Sequence, residues 1–180
     1  YEEALNHLDL ASKLSPEEQF YSNQLNLLLK HMASSGAFLA KESAPSGSDT
    51  DSTALSLHDK IRRKILVVED SPTIRKVISI TLSQKGYETI EAGDGLEALS
   101  RLNESKPDLI LLDIILPKMD GYQILSIIRE NPEFKTIPVI MLTSKDGIIN
   151  KVKGKVAGSS AYLTKPFDPT QLVETIEKHI

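Results

Sequence analysis

The chain has 180 residues, 40% of them hydrophobic and 26% charged, which allows a buried core in one domain of ordinary size plus an appendage. Residues 1–60 hold 9 acidic and 4 basic residues and residues 61–180 hold 16 and 17, so neither part has the basic excess of a nucleic-acid-binding domain. Cysteine is absent, which excludes disulfides, thiolate catalysis and zinc–thiolate sites. No apolar stretch approaches the ~20 residues of a spanning helix, and no signal segment opens the chain, so a cytoplasmic protein without membrane contact is expected. The first residue is Tyr1 rather than methionine, which suggests that an upstream portion is missing.

In chain order, a short helix carrying Leu5 and Leu8 on one face comes first. Ser15-Pro16-Glu17-Glu18 then reads as a helix start, with Ser15 as the cap, Pro16 at the first helical position and Glu18 at the capping-box position. The helix is expected from about Pro16 to Leu39, with Tyr21, Leu25, Leu28 and Met32 in one apolar stripe. Two helices of this size bury little surface alone. They are expected either to pack on each other or on an upstream part, or to bind a partner or dimerise. Residues 43–60, rich in Ser, Thr, Asp, Gly and Pro, read as a flexible linker. The expected division is therefore a helical segment at 1–42, the linker, and a second domain at 61–180.

Beyond the linker, strands are expected at 64–68, 87–91, 108–112, 138–142 and 161–163. Helices are expected from Ser71-Pro72 to near Gly86, from about Gly95 to Asn103, Tyr122 to Glu130 and Gly147 to Val156, and after Asp168-Pro169. Five strands alternating with five helices predict an α/β fold, a doubly wound parallel sheet. Its central strands, Leu109–Leu112 and Val139–Leu142, are continuous apolar runs covered on both faces.

Polar residues sit where these runs end. Glu69 and Asp70 follow Val68, Asp113 follows Leu112, Thr143 follows Leu142, and Lys165 follows Thr164. On a parallel sheet these ends meet at one edge, where such folds bind their ligands. Three carboxylates, a hydroxyl and an ammonium there describe a divalent-metal site that can receive a phosphoryl group. Taken singly, each has a plainer explanation. Asp113 could cap a turn, Glu69 and Asp70 could cap the helix after Ser71, and Lys165 could be a surface lysine. Two adjacent acids at a central strand end, however, repel unless a cation bridges them.

The segment from about Lys64 to Ile180 resembles the receiver domain of two-component response regulators, the chemotaxis-regulator type of flavodoxin-like fold. The resemblance rests on Val-Val-Glu-Asp-Ser (67–71), Leu-Leu-Asp-Ile-Ile-Leu-Pro-Lys-Met-Asp-Gly (111–121), Leu-Thr-Ser (142–144) and Tyr-Leu-Thr-Lys-Pro-Phe (162–167). It implies that Asp113 is the phosphoacceptor, and that Glu69, Asp70, one Asp113 oxygen and the backbone carbonyl of Ile115 hold Mg²⁺. It also implies that Lys165 and Thr143 contact the phosphoryl oxygens and that the Lys165-Pro166 bond is cis. Thr143 and Tyr162 would form the switch, reshaping the face made by the fourth helix, fifth strand and fifth helix of the alternating unit.

The implied partners are a histidine kinase or phosphotransfer protein and a downstream protein or the chain's own N-terminal part. A receiver behind another domain also resembles PatA-type regulators. Ile115 replaces the second aspartate that an aspartyl-phosphate phosphatase needs, and its apolar side chain cannot orient attacking water. A comparatively long-lived phosphoryl group is therefore expected. The remaining alternative, a scaffold that no longer responds to phosphate, fits poorly because all five key residues are present. Lys151, Lys153 and Lys155 read as a solvated basic face or as a docking site for an acidic partner.

Overall fold

The computed structural model describes residues 15–34, 62–144 and 158–180. The expected helices around Leu5 and Leu8 and at 147–156, the linker at 43–60 and the lysines at 151, 153 and 155 lie outside the described residues.

Local chemistry starts the helices where the sequence places them. Helix α1 spans Pro16–Ser34, and the Glu18 amide donates to Ser15 Oγ at 3.2 Å. Strand β1 is Lys64–Val68 and α2 is Pro72–Gln84, begun by the Ser71 cap and Pro72. Strand β2 (Glu88–Ala92) leads to α3 (Gly95–Ser105), capped by Asp94. Strand β3 (Leu109–Asp113) leads to α4 (Gly121–Glu130), where Asp120 and Gln123 form a reciprocal capping box. Strand β4 is Val139–Thr143 and β5 is Ala161–Thr164; α5 (Pro169–Glu177) repeats the capping box with Asp168 and Gln171.

The five strands form one parallel sheet in the order β2-β1-β3-β4-β5, a flavodoxin-like doubly wound arrangement. Strand periodicity divides the core in two. Ile65, Val67, Leu109, Leu111, Ile140, Leu142 and Leu163 face Ile74, Ile78 and Leu82 of α2 and Leu172 and Ile176 of α5. The alternate residues Leu66, Val68, Ile110, Leu112, Val139 and Met141 face Ala98 and Leu102 of α3 and Ile124, Leu125 and Ile128 of α4.

Helix α1 joins the first of these layers. Tyr21 is fully buried in that cluster, with Leu25 and Leu28 packed against it. The Tyr21 hydroxyl accepts a hydrogen bond from the Phe167 amide at 3.1 Å, and the two rings meet edge to face with centroids 5.4 Å apart. The apolar stripe is thus covered by the sheet domain itself, a partner that neither expectation for this helix included.

Candidate phosphoacceptor site

Register brings the polar strand ends together. Val68 pairs with Leu112, so Glu69 comes level with Asp113 on the neighbouring strand. Asp113 pairs with Leu142, which puts Thr143 one step further along β4, and Thr143 pairs with Thr164, so that Lys165 leaves β5 at the same edge. The ladder carries on past the strand ends through Glu69 N–H to Ala92 O (3.1 Å), Ile114 N–H to Leu142 O (3.1 Å) and Lys165 N–H to Thr143 O (2.7 Å). The site therefore stands on rigid backbone.

Lys165 Nζ lies 2.7 Å from Asp113 Oδ2 and 2.6 Å from Glu69 Oε2, and all three side chains are buried. Asp113 Oδ1 accepts from the Ile115 amide at 3.2 Å, and Glu69 Oε1 from the Ser71 amide at 3.3 Å. Asp70 is exposed, yet Glu69, Asp70 and Asp113 each offer an oxygen within 4.8 Å of the other two. The Lys165–Pro166 peptide bond is cis.

Electrostatics show what this cluster lacks. Burial pushes the Glu69 carboxyl up to about 7, against the pull of Lys165, and moves Asp113 in the same direction for the same reason. Lys165 is raised by the two carboxylates, whose attraction outweighs its own burial. One ammonium is thus too little positive charge for three acids. An all-oxygen donor set with excess negative charge, open on the Asp70 side, suits a hard cation such as Mg²⁺ that keeps part of its water shell.

These shifts set a pH dependence. A carboxyl whose folded value lies above its ordinary value of 4.5 favours the folded chain below that value, and the benefit fades as pH rises through about 7. Mg²⁺ and protons compete for the same oxygens. Mg²⁺ should therefore raise the unfolding temperature more at about pH 8 than at about pH 5.5. Equal shifts at both pH values in a thermal melt would contradict this reading of the cluster.

The cluster lines a cavity of about 200 Å³, and its wall includes Glu69, Asp70, Asp113, Ile115 and Lys165. Ile115 is 67% exposed, so its side chain leaves the cavity open to solvent. Thr143 is not part of that wall: it is buried, its hydroxyl donates to the Ser144 carbonyl at 3.2 Å, and Ser144 takes the place at the rim. Tyr162 packs on the α3/α4 side of the sheet, its hydroxyl buried with no hydrogen-bond partner among the described residues.

Two features escape a reading of the sequence. Arg75, on α2, donates from one guanidinium nitrogen to the backbone carbonyls of Glu69 (2.6 Å) and Asp70 (3.4 Å) and pairs with Glu91 at 3.3 Å. It thereby fixes the backbone of the acidic pair, and nothing in its spacing announces this. Ser15, Glu17 and Glu18 of the α1 N-terminus also line the cavity, although they lie about fifty residues upstream of the nearest site residue. Burial raises the Glu17 carboxyl, Lys165 opposes that shift and Asp113 adds to it, which places Glu17 within the field of the site.

Residues 65–177 match the family model described as the response regulator receiver domain. Protein PilG of Pseudomonas aeruginosa is 44% identical over 117 residues, covering 65% of this chain and 87% of PilG. The phosphate regulon transcriptional regulatory protein PhoB of Klebsiella pneumoniae is 42% identical over 115 residues, 64% of this chain but only 50% of PhoB. Among solved structures, the chemotaxis response regulator CheY4 of Vibrio cholerae superposes with a TM-score of 0.63 at 35% identity, over 66% of this chain and 99% of its own. With the strand-end acids and lysine on a sheet of this topology, the chain belongs to the response regulator receiver family, whose members act as signalling switches rather than as classical enzymes.

Proposed function

We propose that the chain is a phosphorylation-controlled switch in which Asp113 accepts a phosphoryl group from a histidine kinase or phosphotransfer protein. The observation that carries this reading is a buried Asp113 held 2.7 Å from Lys165 Nζ, with Glu69 and Asp70 offering oxygens within 4.8 Å. A carboxylate attacks phosphorus only when the negative charge on both partners is neutralised. Glu69, Asp70, Asp113 and the Ile115 carbonyl would hold Mg²⁺, which when bound supplies that neutralisation.

In the transfer, an Asp113 oxygen forms the new P–O bond while the P–N bond of phosphohistidine breaks. The imidazole nitrogen keeps the electron pair and takes a proton from solvent. Lys165 balances charge on a phosphoryl oxygen as a point cation. Thr143 supplies its hydroxyl to another oxygen by leaving the Ser144 carbonyl, and Tyr162 repacks beside it. That local event biases the face of β5 and α5 between two arrangements.

The division into a helical segment (1–42), a linker (43–60) and a receiver (61–180) fits an output passed to a partner protein or to upstream parts of the same protein. A cytoplasmic location fits a phosphohistidine donor. No helix among the described residues is long and apolar enough to cross a membrane. Glu69, Asp70, Asp113, Thr143 and Lys165, the five residues the resemblance assigns, are all present, and no observation favours the phosphate-independent scaffold.

Acetyl phosphate tests the reading without a cognate kinase. With Mg²⁺ the protein should gain one phosphoryl mass, and a chelator should abolish the gain. Equal labelling with and without the chelator would contradict the metal-dependent transfer.

A further inference from the structure

The N-terminal turn of α1 sits on the phosphoacceptor cavity. Strand alternation aims Glu69 and Asp113 toward the sheet face that carries α2, α5 and α1, because they continue the series Ile65–Val67 and Leu109–Leu111 of that cluster. Helix α1 lies across this face, fixed by the buried Tyr21 on Phe167, two residues beyond Lys165, and its first turn places half-buried Glu17 and Glu18 in the cavity wall. Beyond Tyr21, the contact rests on partly buried Leu25 and Leu28. Leu27 and Leu29, on its other side, are exposed. This is a seated helix with a modest apolar footprint, and its acidic end meets the reacting carboxylate.

We propose that α1 is a tethered cover of the phosphoacceptor cavity, seated while Asp113 carries a free carboxylate and driven off when Asp113 carries a phosphoryl group. The proposal rests on Asp113 being the phosphoacceptor. Its basis is charge and space. With a divalent cation bound beside Lys165 the three site carboxylates would be balanced, and Glu17 and Glu18 would then meet a cavity near neutrality. Converting the Asp113 carboxylate into an acyl phosphate adds one net negative charge and the bulk of the phosphoryl group inside a cavity of about 200 Å³. Glu17 and Glu18 share the cavity wall with Asp113, and in a partly buried setting like charges repel more strongly than in water, so the added charge acts against a small apolar contact. Release would uncover the α2 face and the Phe167 turn, and any phosphodonor protein approaching Asp113 from that side competes with α1 for the same surface.

The test uses the full chain with Mg²⁺ and acetyl phosphate. An Asp113 oxygen attacks phosphorus, the P–O bond to the acetyl group breaks, and acetate leaves. Intact mass gives the occupancy, and amide hydrogen exchange is read over residues 17–33. In the phosphorylated protein these amides should exchange about tenfold faster than in Asp113→Asn treated identically. A Glu17→Gln/Glu18→Gln variant should still take up phosphoryl but show little of that acceleration. A well-occupied adduct with unchanged exchange would overturn the cover while leaving the phosphoacceptor reading intact. Failure to form any adduct would overturn that reading and the cover with it. Acceleration in the double variant equal to that of the unaltered chain would overturn release by charge.

Discussion

Replacing Lys165 with methionine should slow phosphoryl transfer from acetyl phosphate to Asp113 by about 10²- to 10³-fold, the cost of losing one preorganised charged donor in a catalytic site. The ammonium lies 2.7 Å from Asp113 Oδ2 and 2.6 Å from Glu69 Oε2, almost out of solvent. The same substitution leaves two facing carboxylates buried without a cation, and breaking a buried pair in this way costs about 3 kcal/mol or more. Burial already raises both carboxyls, so their protonation absorbs part of the loss at low pH. Destabilisation should therefore be larger at alkaline than at acidic pH and should shrink when Mg²⁺ is added. Denaturant unfolding across pH, with and without Mg²⁺, checks this. A Lys165→Met protein as stable as the unaltered chain at alkaline pH without metal would contradict the charge balance drawn for the site.

The second large effect concerns a residue with no functional group. The Gly121 amide donates to the Ile114 carbonyl at 2.9 Å, which closes the turn between the end of β3 and the start of α4. A Cβ at Gly121 would overlap the Asp113 carbonyl oxygen and stand 2.9 Å from Ile114 Cα, and both of these are backbone atoms. No side-chain rotation relieves that clash. Either α4 shifts, which disturbs the packing of Ile124, Leu125 and Ile128, or the Asp113 backbone moves. Gly121→Ala should cost about 3 kcal/mol of stability, at the upper end for overpacking. Since a misplacement of about 1 Å at a reacting group can cost about 100-fold, labelling of Asp113 should fall steeply even in folded protein. A melt together with a labelling time course separates the two effects. Unchanged values in both would show that the turn has more room than its contacts imply.

Fold and site differ in how far they could be read from sequence. The apolar runs of β1, β3 and β4, buried on both sides, bound the sheet to within a residue, and Ser71-Pro72 and Asp168-Pro169 mark helix starts that depend on local hydrogen bonds alone. The meeting of Glu69, Asp113 and Lys165 follows from parallel register, which the alternation of strands and helices already requires. What escaped was tertiary. Tyr21, Leu25 and Leu28 announce an apolar stripe but not its partner, because periodicity says which face is buried and nothing about what buries it. Glu17 and Glu18 read as part of a helix start, Glu18 at the capping-box position, and only the docking of α1 carries them to the cavity. Arg75 lies outside every motif read from the sequence. Its grip on the Glu69 and Asp70 carbonyls arises from the angle between β1 and α2, which no local pattern encodes.

The most direct measurement is intact mass of the chain and of Asp113→Asn after incubation with Mg²⁺ and acetyl phosphate. The unaltered chain should gain a single phosphoryl group that survives mild acid and is lost in base, as an acyl phosphate requires, and Asp113→Asn should gain none. An adduct that persists in Asp113→Asn, or its absence from the unaltered chain, would contradict the assignment of Asp113 as phosphoacceptor.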